Sequence, residues 1–293
     1  MKKTIIILVI AFIIIFNISE QSNTPKCINN SAKEHQNLLV CKYFDETRFN
    51  MSLNTTSEGT LDKVEIMGGI VPHHLLADKM IAEFFKVASV KQPETVIIIG
   101  PNHTGAGVSK VHTGGWGWMT PFGILESDRG VTDYLVKTKI AETNFELMEN
   151  EHSISAIVPY IKYFMPDAKI VPVLVSGTYT LKQSKELGES LEDLMKEKKC
   201  LFIASVDFSH YLSLEKANEM DEITRSALED RNIQQINCMN NDFMDSPASI
   251  ITLLAAMDEV KADNQKMLNH SNSAIIAENG YDYTTSYFTY IFY

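Results

Sequence analysis

The chain has no cluster of lysine or arginine, and its 26 basic residues are outnumbered by 37 acidic ones, for a formal net charge of −11. Phosphate neutralisation needs a basic face, so nucleic acid is excluded as an expected partner. Beyond residue 16 no apolar run approaches the roughly 20 residues of a membrane span, which excludes a polytopic membrane protein. No P-loop, no Gly-x-Gly-x-x-Gly fingerprint and no Gly-x-Ser-x-Gly elbow occurs. That removes the commonest kinase, dehydrogenase and hydrolase readings. Internal repeats and heptads are missing too. What is present is a 45% hydrophobic share over 293 residues. This suffices for one sizeable core and excludes disorder along most of the chain.

The first residues read as an address. Met1-Lys2-Lys3 is a cationic start, and Ile5 to Phe16 is an unbroken apolar run of twelve. Residues 1–19 are therefore expected to be a signal peptide or N-terminal membrane anchor. The protein would be extracytoplasmic, secreted or anchored, and would meet a membrane only through this segment. Residues 20–60 are rich in Asn, Ser, Thr, Lys and Glu, and are expected to form a polar, loosely ordered extension. Of the four cysteines, Cys27 and Cys41 are the favoured pair in an oxidising compartment. Cys200 opens an apolar run and reads as a small buried hydrophobe.

From Leu61 onward strands and helices alternate. Ile66–Val71, Val96–Gly100, Ile170–Val175 and Leu201–Val206 are short β-branched runs, and the first two are bounded by Gly and Pro, as buried strands are. Between the first two, Leu75–Val87 carries an apolar helical face. Leu181–Lys198 and Leu214–Leu228 read as amphipathic helices. Ser246-Pro247 is an N-cap with Pro at the first helical position, opening an apolar helix through Met257. Ser286–Tyr293 reads as a closing strand. The pattern predicts one α/β domain over 61–293, with a mixed, largely parallel sheet and helices on both faces.

Histidines punctuate the strand ends. His73 and His74 follow the first strand, His103 the second, and His210 the fourth, with Asp207 three residues before it. In open α/β sheets the carboxyl ends of parallel strands converge on one rim, where ligands bind. Two imidazoles and a carboxylate suit a divalent transition metal with open positions. His152, in Glu149-Asn-Glu-His152-Ser, has the acidic neighbours expected of a proton carrier or substrate anchor. Trp116 and Trp118 either wall an apolar pocket over the metal or pin the loop after His103 to the body.

Gly-Ile-Val-Pro-His73, Gly-Pro-Asn-His103, Thr120-Pro-Phe-Gly, Glu149-Asn-Glu-His152-Ser-Ile, Val171-Pro-Val-Leu-Val and Ser205-Val-Asp207-Phe-Ser-His210 occur in one order. Together they resemble the Memo family, whose bacterial members are called AmmeMemoRadiSam system protein B, over residues 66 to 293. The resemblance implies a three-layer α/β/α fold similar to the LigB-like class III extradiol dioxygenases. It implies a metal held by His73 and His103, with Asp207 and His210 beside it. The bacterial name implies a functional link to a radical-SAM protein.

One departure matters. The family pattern places a cysteine, a third metal ligand, shortly before a Pro-initiated helix. Here the segment reads Phe243-Met244-Asp245-Ser246-Pro247, and Cys238 falls several residues early. Asp245 is the favoured replacement, with Met244, His210 or Asp207 as alternatives, or the site is degraded. A carboxylate favours iron, manganese or zinc, and a thioether favours copper(I). Two functions are open. The first is a metal-dependent oxygenase or redox enzyme acting on a small organic molecule, with iron foremost and copper or zinc next, and with His152, His210 and Asp207 as catalytic groups. The second is a binding protein whose cleft holds a peptide, metabolite or protein partner.

Overall fold

The β-branched runs become strands at the centre of the protein. The computed structural model describes residues 38–54, 64–191, 194, 198–278 and 283–293. In chain order it begins with β1 (Leu38–Val40), α1 (Glu46–Ser52), β2 (Gly68–Val71), α2 (Asp78–Ala88) and β3 (Thr95–Pro101). Next come β4 (Val111–Thr113), β5 (Gly117–Thr120), β6 (Gly123–Leu125), α3 (Arg129–Lys137) and β7 (Glu142–Thr143). The short helices α4 (Phe145–Asn150), α5 (His152–Ser155) and α6 (Val158–Phe164) precede β8 (Lys169–Val175) and α7 (Leu181–Ser190). The chain continues through β9 (Cys200–Ser205), β10 (Phe208–Leu212), α8 (Leu214–Glu229), α9 (Ile233–Asn237) and α10 (Pro247–Glu259). It closes with β11 (Gln265–Asn272), α11 (Ser273–Ile276) and β12 (Thr284–Phe292).

The larger sheet runs β10-β12-β2-β9-β3-β8-β4-β7, with β11 paired to β12. Its middle is parallel through β2–β9, β9–β3 and β3–β8, while β12–β2 and β8–β4 are antiparallel. Successive strand residues point to opposite faces. Ile97, Ile99, Phe202 and Ala204 therefore pack with Leu187 of α7 and Ile251 of α10. Val96, Ile98, Leu201 and Ile203 pack on the other face with Phe84 and Phe85 of α2. Helices cover both faces, as the alternating sequence pattern predicts. On the first face α7 lies close to α10: a Cβ on Gly188 would stand 2.5 Å from the Thr252 carbonyl oxygen.

The polar extension expected to reach residue 60 is shorter than that. β1 pairs in parallel with β5 in a second, three-stranded sheet, β1-β5-β6. Leu39 and Phe49 are both buried, Phe49 against the rings of Phe44, Phe122, Tyr160 and Tyr163. Asp45 caps α1 by accepting from the Arg48 amide at 3.0 Å. One leucine and one phenylalanine dock the segment, and a composition average over forty residues does not register them. Residues 1–37, with the expected leader and Cys27 of the expected Cys27–Cys41 pair, lie outside the described residues. The half-buried Cys41 thiol donates to the Ser155 carbonyl at 3.5 Å. Among the described residues no helix is long and apolar enough to cross a membrane.

At the opposite end of the sheet from the strand-end histidines, Asp128 caps α3 and ties down the start of β3. Its carboxylate accepts from Thr95 at 2.8 Å and pairs with Lys198 at 2.6 Å. Burial favours the neutral acid, but these hydrogen bonds outweigh it and hold the Asp128 carboxyl below its ordinary value. A depressed carboxyl contributes stability above its unfolded pKa and loses it as pH falls through the folded one. Asp128→Asn should therefore lower the thermal midpoint at pH 6 and narrow its gap to the wild type as the pH falls toward 3. A gap that stays constant with pH would refute the assignment.

Candidate metal centre

Parallel register brings separate loops to one rim. Val71 of β2 stands opposite Ser205 of β9, and Ile99 of β3 opposite Ala204. The segments carrying His73, Asp207 and His103 therefore leave neighbouring strand ends. The N-terminus of α5 adds Glu151 and His152 from the side. It approaches β3 closely because residue 100 is glycine: a Cβ there would lie 2.8 Å from Ser153 Oγ.

Three imidazoles meet. The rings of His103 and His152 stack at 4.3 Å and 20°, and His73 stands 5.2 Å from each. One donor atom from each of the three lies within 4.8 Å of the others. The hydrogen bonds around them assign the ring orientations. Ser205 Oγ donates to the Ser153 carbonyl at 2.5 Å, so it accepts from His73 Nδ1 at 3.2 Å. His103 Nδ1 donates to Glu151 Oε1 at 2.8 Å, and His152 Nδ1 lies 3.2 Å from the same oxygen. Glu151 also accepts from the backbone amides of His103 and Ser153. With Nδ1 anchored, Nε2 of His73 and of His103 is left to face the cleft, the arrangement metal-binding histidines adopt.

Asp245 faces those two nitrogens. Its Oδ2 lies 3.2 Å from His73 Nε2 and 3.5 Å from His103 Nε2. The loop before α10 holds it there through its amide, which donates to the Asp207 carbonyl at 3.1 Å, and through a bridge between Phe208 and Met244. Asp207 is buried and serves as a backbone clamp. Its Oδ1 accepts from the amides of His73 at 3.0 Å and His74 at 3.3 Å, and its Oδ2 stands 3.6 Å from His73 Nε2.

The electrostatics follow from this packing. Burial works against charge throughout, yet the opposite partners outweigh it. Asp245 and Glu151 stay well below the usual carboxylate range because His103 and His73, and His103 and His152, bond them. Asp245 and Glu151 push the His103 imidazole up to about 10, and Asp207 with Asp245 raises that of His73. The carboxylates are thus held as anions, the form a metal ligand requires, and the protons held on His73 and His103 are the ones a metal would displace. Asp245 Oδ1 is buried with no hydrogen-bond partner, and an unpaired buried carboxylate oxygen is costly. Donors bound to one ion at about 2.0–2.2 Å stand roughly 3 Å apart, close to the His–Asp separations here. The residues fit a divalent transition metal.

The expected site residues converge, with changes of emphasis. His152 stands among His73 and His103 instead of outside them. His210 lies within β10, close to Asp245, with Nδ1 buried and without a partner among the described residues. Met244 is buried in the core, and Cys238 is an exposed free thiol. Trp118 is fully buried, paired in register with Leu39, and Trp116 packs edge-on to Phe145. The tryptophans pin the loop to the body. Glu151 and Ser205 were not singled out from the sequence. Both stand in quoted motifs, Glu151 beside His152 and Ser205 ahead of Asp207, but neither was given a role.

Comparison with known proteins bears on the family and the fold. The Memo-like protein family profile matches residues 44–291. A MEMO1 family protein, PAE0818, from Pyrobaculum aerophilum is 31% identical over 239 residues, covering 78% of this chain and 84% of the relative. A MEMO1 family protein from Aquifex aeolicus is 28% identical over 218 residues, covering 72% and 80%. Among solved structures, that of the uncharacterized protein JW3007 from Escherichia coli K12 superposes with a TM-score of 0.52 at 11% identity. It covers 76% of this chain and 99% of that one, a likeness of fold.

Proposed function

Since the chain belongs to the Memo-like family, we propose that it is a metal-dependent protein of oxidative, dioxygenase-like chemistry on a small organic substrate. His73, His103 and Asp245 hold a divalent transition metal, iron foremost and copper or zinc next, with His152 as a further donor or proton carrier. The observation that carries this reading is the convergence of two anchored imidazoles on a buried, half-unpartnered carboxylate. Two nitrogens and a carboxylate leave other positions open, as in non-haem iron sites. The metal supplies the redox chemistry that no side chain here supplies.

The chain's own groups do the rest. Glu151 and Ser205 fix ring orientation, and Asp207 sets the backbone of His73 and His74. His210, unpartnered at Nδ1, is placed to accept or return a proton at the cleft. The cationic start and the run Ile5–Phe16 support an extracytoplasmic placement, which cell fractionation tests. A radical-SAM partner is tested by co-purification.

Elemental analysis after anaerobic reconstitution with iron, copper, zinc and manganese in turn tests the centre. The expected result is close to one equivalent of one metal, lost in His73→Ala and His103→Ala. Glu151→Gln removes no proposed ligand but weakens the hold on two rings, and should lower metal affinity roughly 10–100-fold. A metal-free wild type would move the reading to a binding protein. Full occupancy in both histidine variants would refute the ligand assignment.

A further inference from the structure

Next to Asp245 lies a cavity of about 480 Å³, walled by the start of α10, the loop after α9 and the turn after β8. Its volume is that of a small-molecule site, for which roughly 300–1,000 Å³ is usual. Asn237, Asn240 and Asn241 line it together with Tyr179, Met239 and Met244. Asn240 Oδ1 accepts from the Asp242 amide at 3.0 Å, which leaves its NH₂ free. No described residue bonds the carboxamide of Asn237 or Asn241.

The wall carries no cation. Lys110, near the β8 turn, is engaged by the Thr178 carbonyl at 3.3 Å and Gln183 Oε1 at 3.4 Å. The one carboxylate, Asp245, is already paired with His73 and His103. Burial raises the Tyr179 phenol to about 12, so it stays neutral. An anionic ligand would meet no cationic side chain in a chain of net charge −11, and only the start of α10 would favour it. Carboxamides pair donor to acceptor with another amide. The two thioethers offer soft contact to a flat ring.

We propose that this cavity binds an uncharged, amide-bearing small molecule, recognised by the carboxamides of Asn237, Asn240 and Asn241.

Nicotinamide and nicotinate share a ring and differ in one group, amide against carboxylate. Titration calorimetry of each into the full chain should show nicotinamide binding at least tenfold more tightly. The double variant Asn237→Ala/Asn241→Ala should weaken nicotinamide binding at least fivefold at an unchanged thermal midpoint, because both residues are exposed. Nicotinate binding as well as nicotinamide, binding of neither, or a double variant that binds like the wild type would each overturn the proposal.

Discussion

Asp245→Ala should strip the metal from the protein, whereas Asp245→Cys should retain it and shift preference toward copper(I) or zinc. Structural zinc sites bind with roughly 10–16 kcal/mol in total, so one of three or four donors is worth about 3–5 kcal/mol, a factor of several hundred or more. Softness sets the direction for cysteine: thiolate selects copper(I) and zinc, carboxylate selects iron or manganese. In the metal-free protein alanine would also remove the anion that favours protonation of His73 and His103. Asp245→Asn separates that effect, since it keeps the shape and removes the charge. Elemental analysis beside thermal melts of all three variants reads both consequences. Undiminished metal in Asp245→Ala would pass the role to Asp207, whose Oδ2 also faces His73.

A chain beginning at residue 61 should unfold far below one beginning at Leu38. The difference is the docked segment, with Leu39 under the small sheet and Phe49 among four aromatic rings. Truncating a buried phenylalanine alone costs about 3–5 kcal/mol. At roughly 2–4 °C per kcal/mol for a domain of this size, a midpoint drop on the order of 10 °C follows. Phe49→Ala in the full chain should account for most of it. Coincident melts of the two truncations would show that the segment contributes nothing to the fold.

The strands were legible because their residues are β-branched and bounded by glycine and proline, and β3 and β8 fall within a residue or two of expectation. His73 and His103 were legible for the same reason: a short turn after a parallel strand has one place to put its side chain. Asp245 could be found only through the missing cysteine, since nothing local marks an aspartate before a Ser-Pro cap. Ser205 opens a quoted motif, but its role was not legible, because that role depends on the Ser153 carbonyl 52 positions away. β1 and α1 were misjudged because a three-residue strand carries too little periodicity to stand out from polar surroundings. The helix after Thr180 covers Leu181–Ser190, Leu194 is helical as well, and residues 192–193 and 195–197 of the expected run to Lys198 lie outside the described residues.

Gly100 carries no donor atom, yet it governs how near α5 comes to the strand ends. The centre therefore has two unequal jaws, one fixed by the register of three strands and one seated separately across an interlayer gap. Glu151 and His152 ride together on the second jaw, so widening the gap would displace both at once by a similar amount. Ion size would then be sensed through the seating of a helix as well as through the chemistry of the ligands. Gly100→Ala should accordingly alter the ranking of metals by radius without deleting any one of their contacts, and an unchanged ranking in competition binding would count against this coupling.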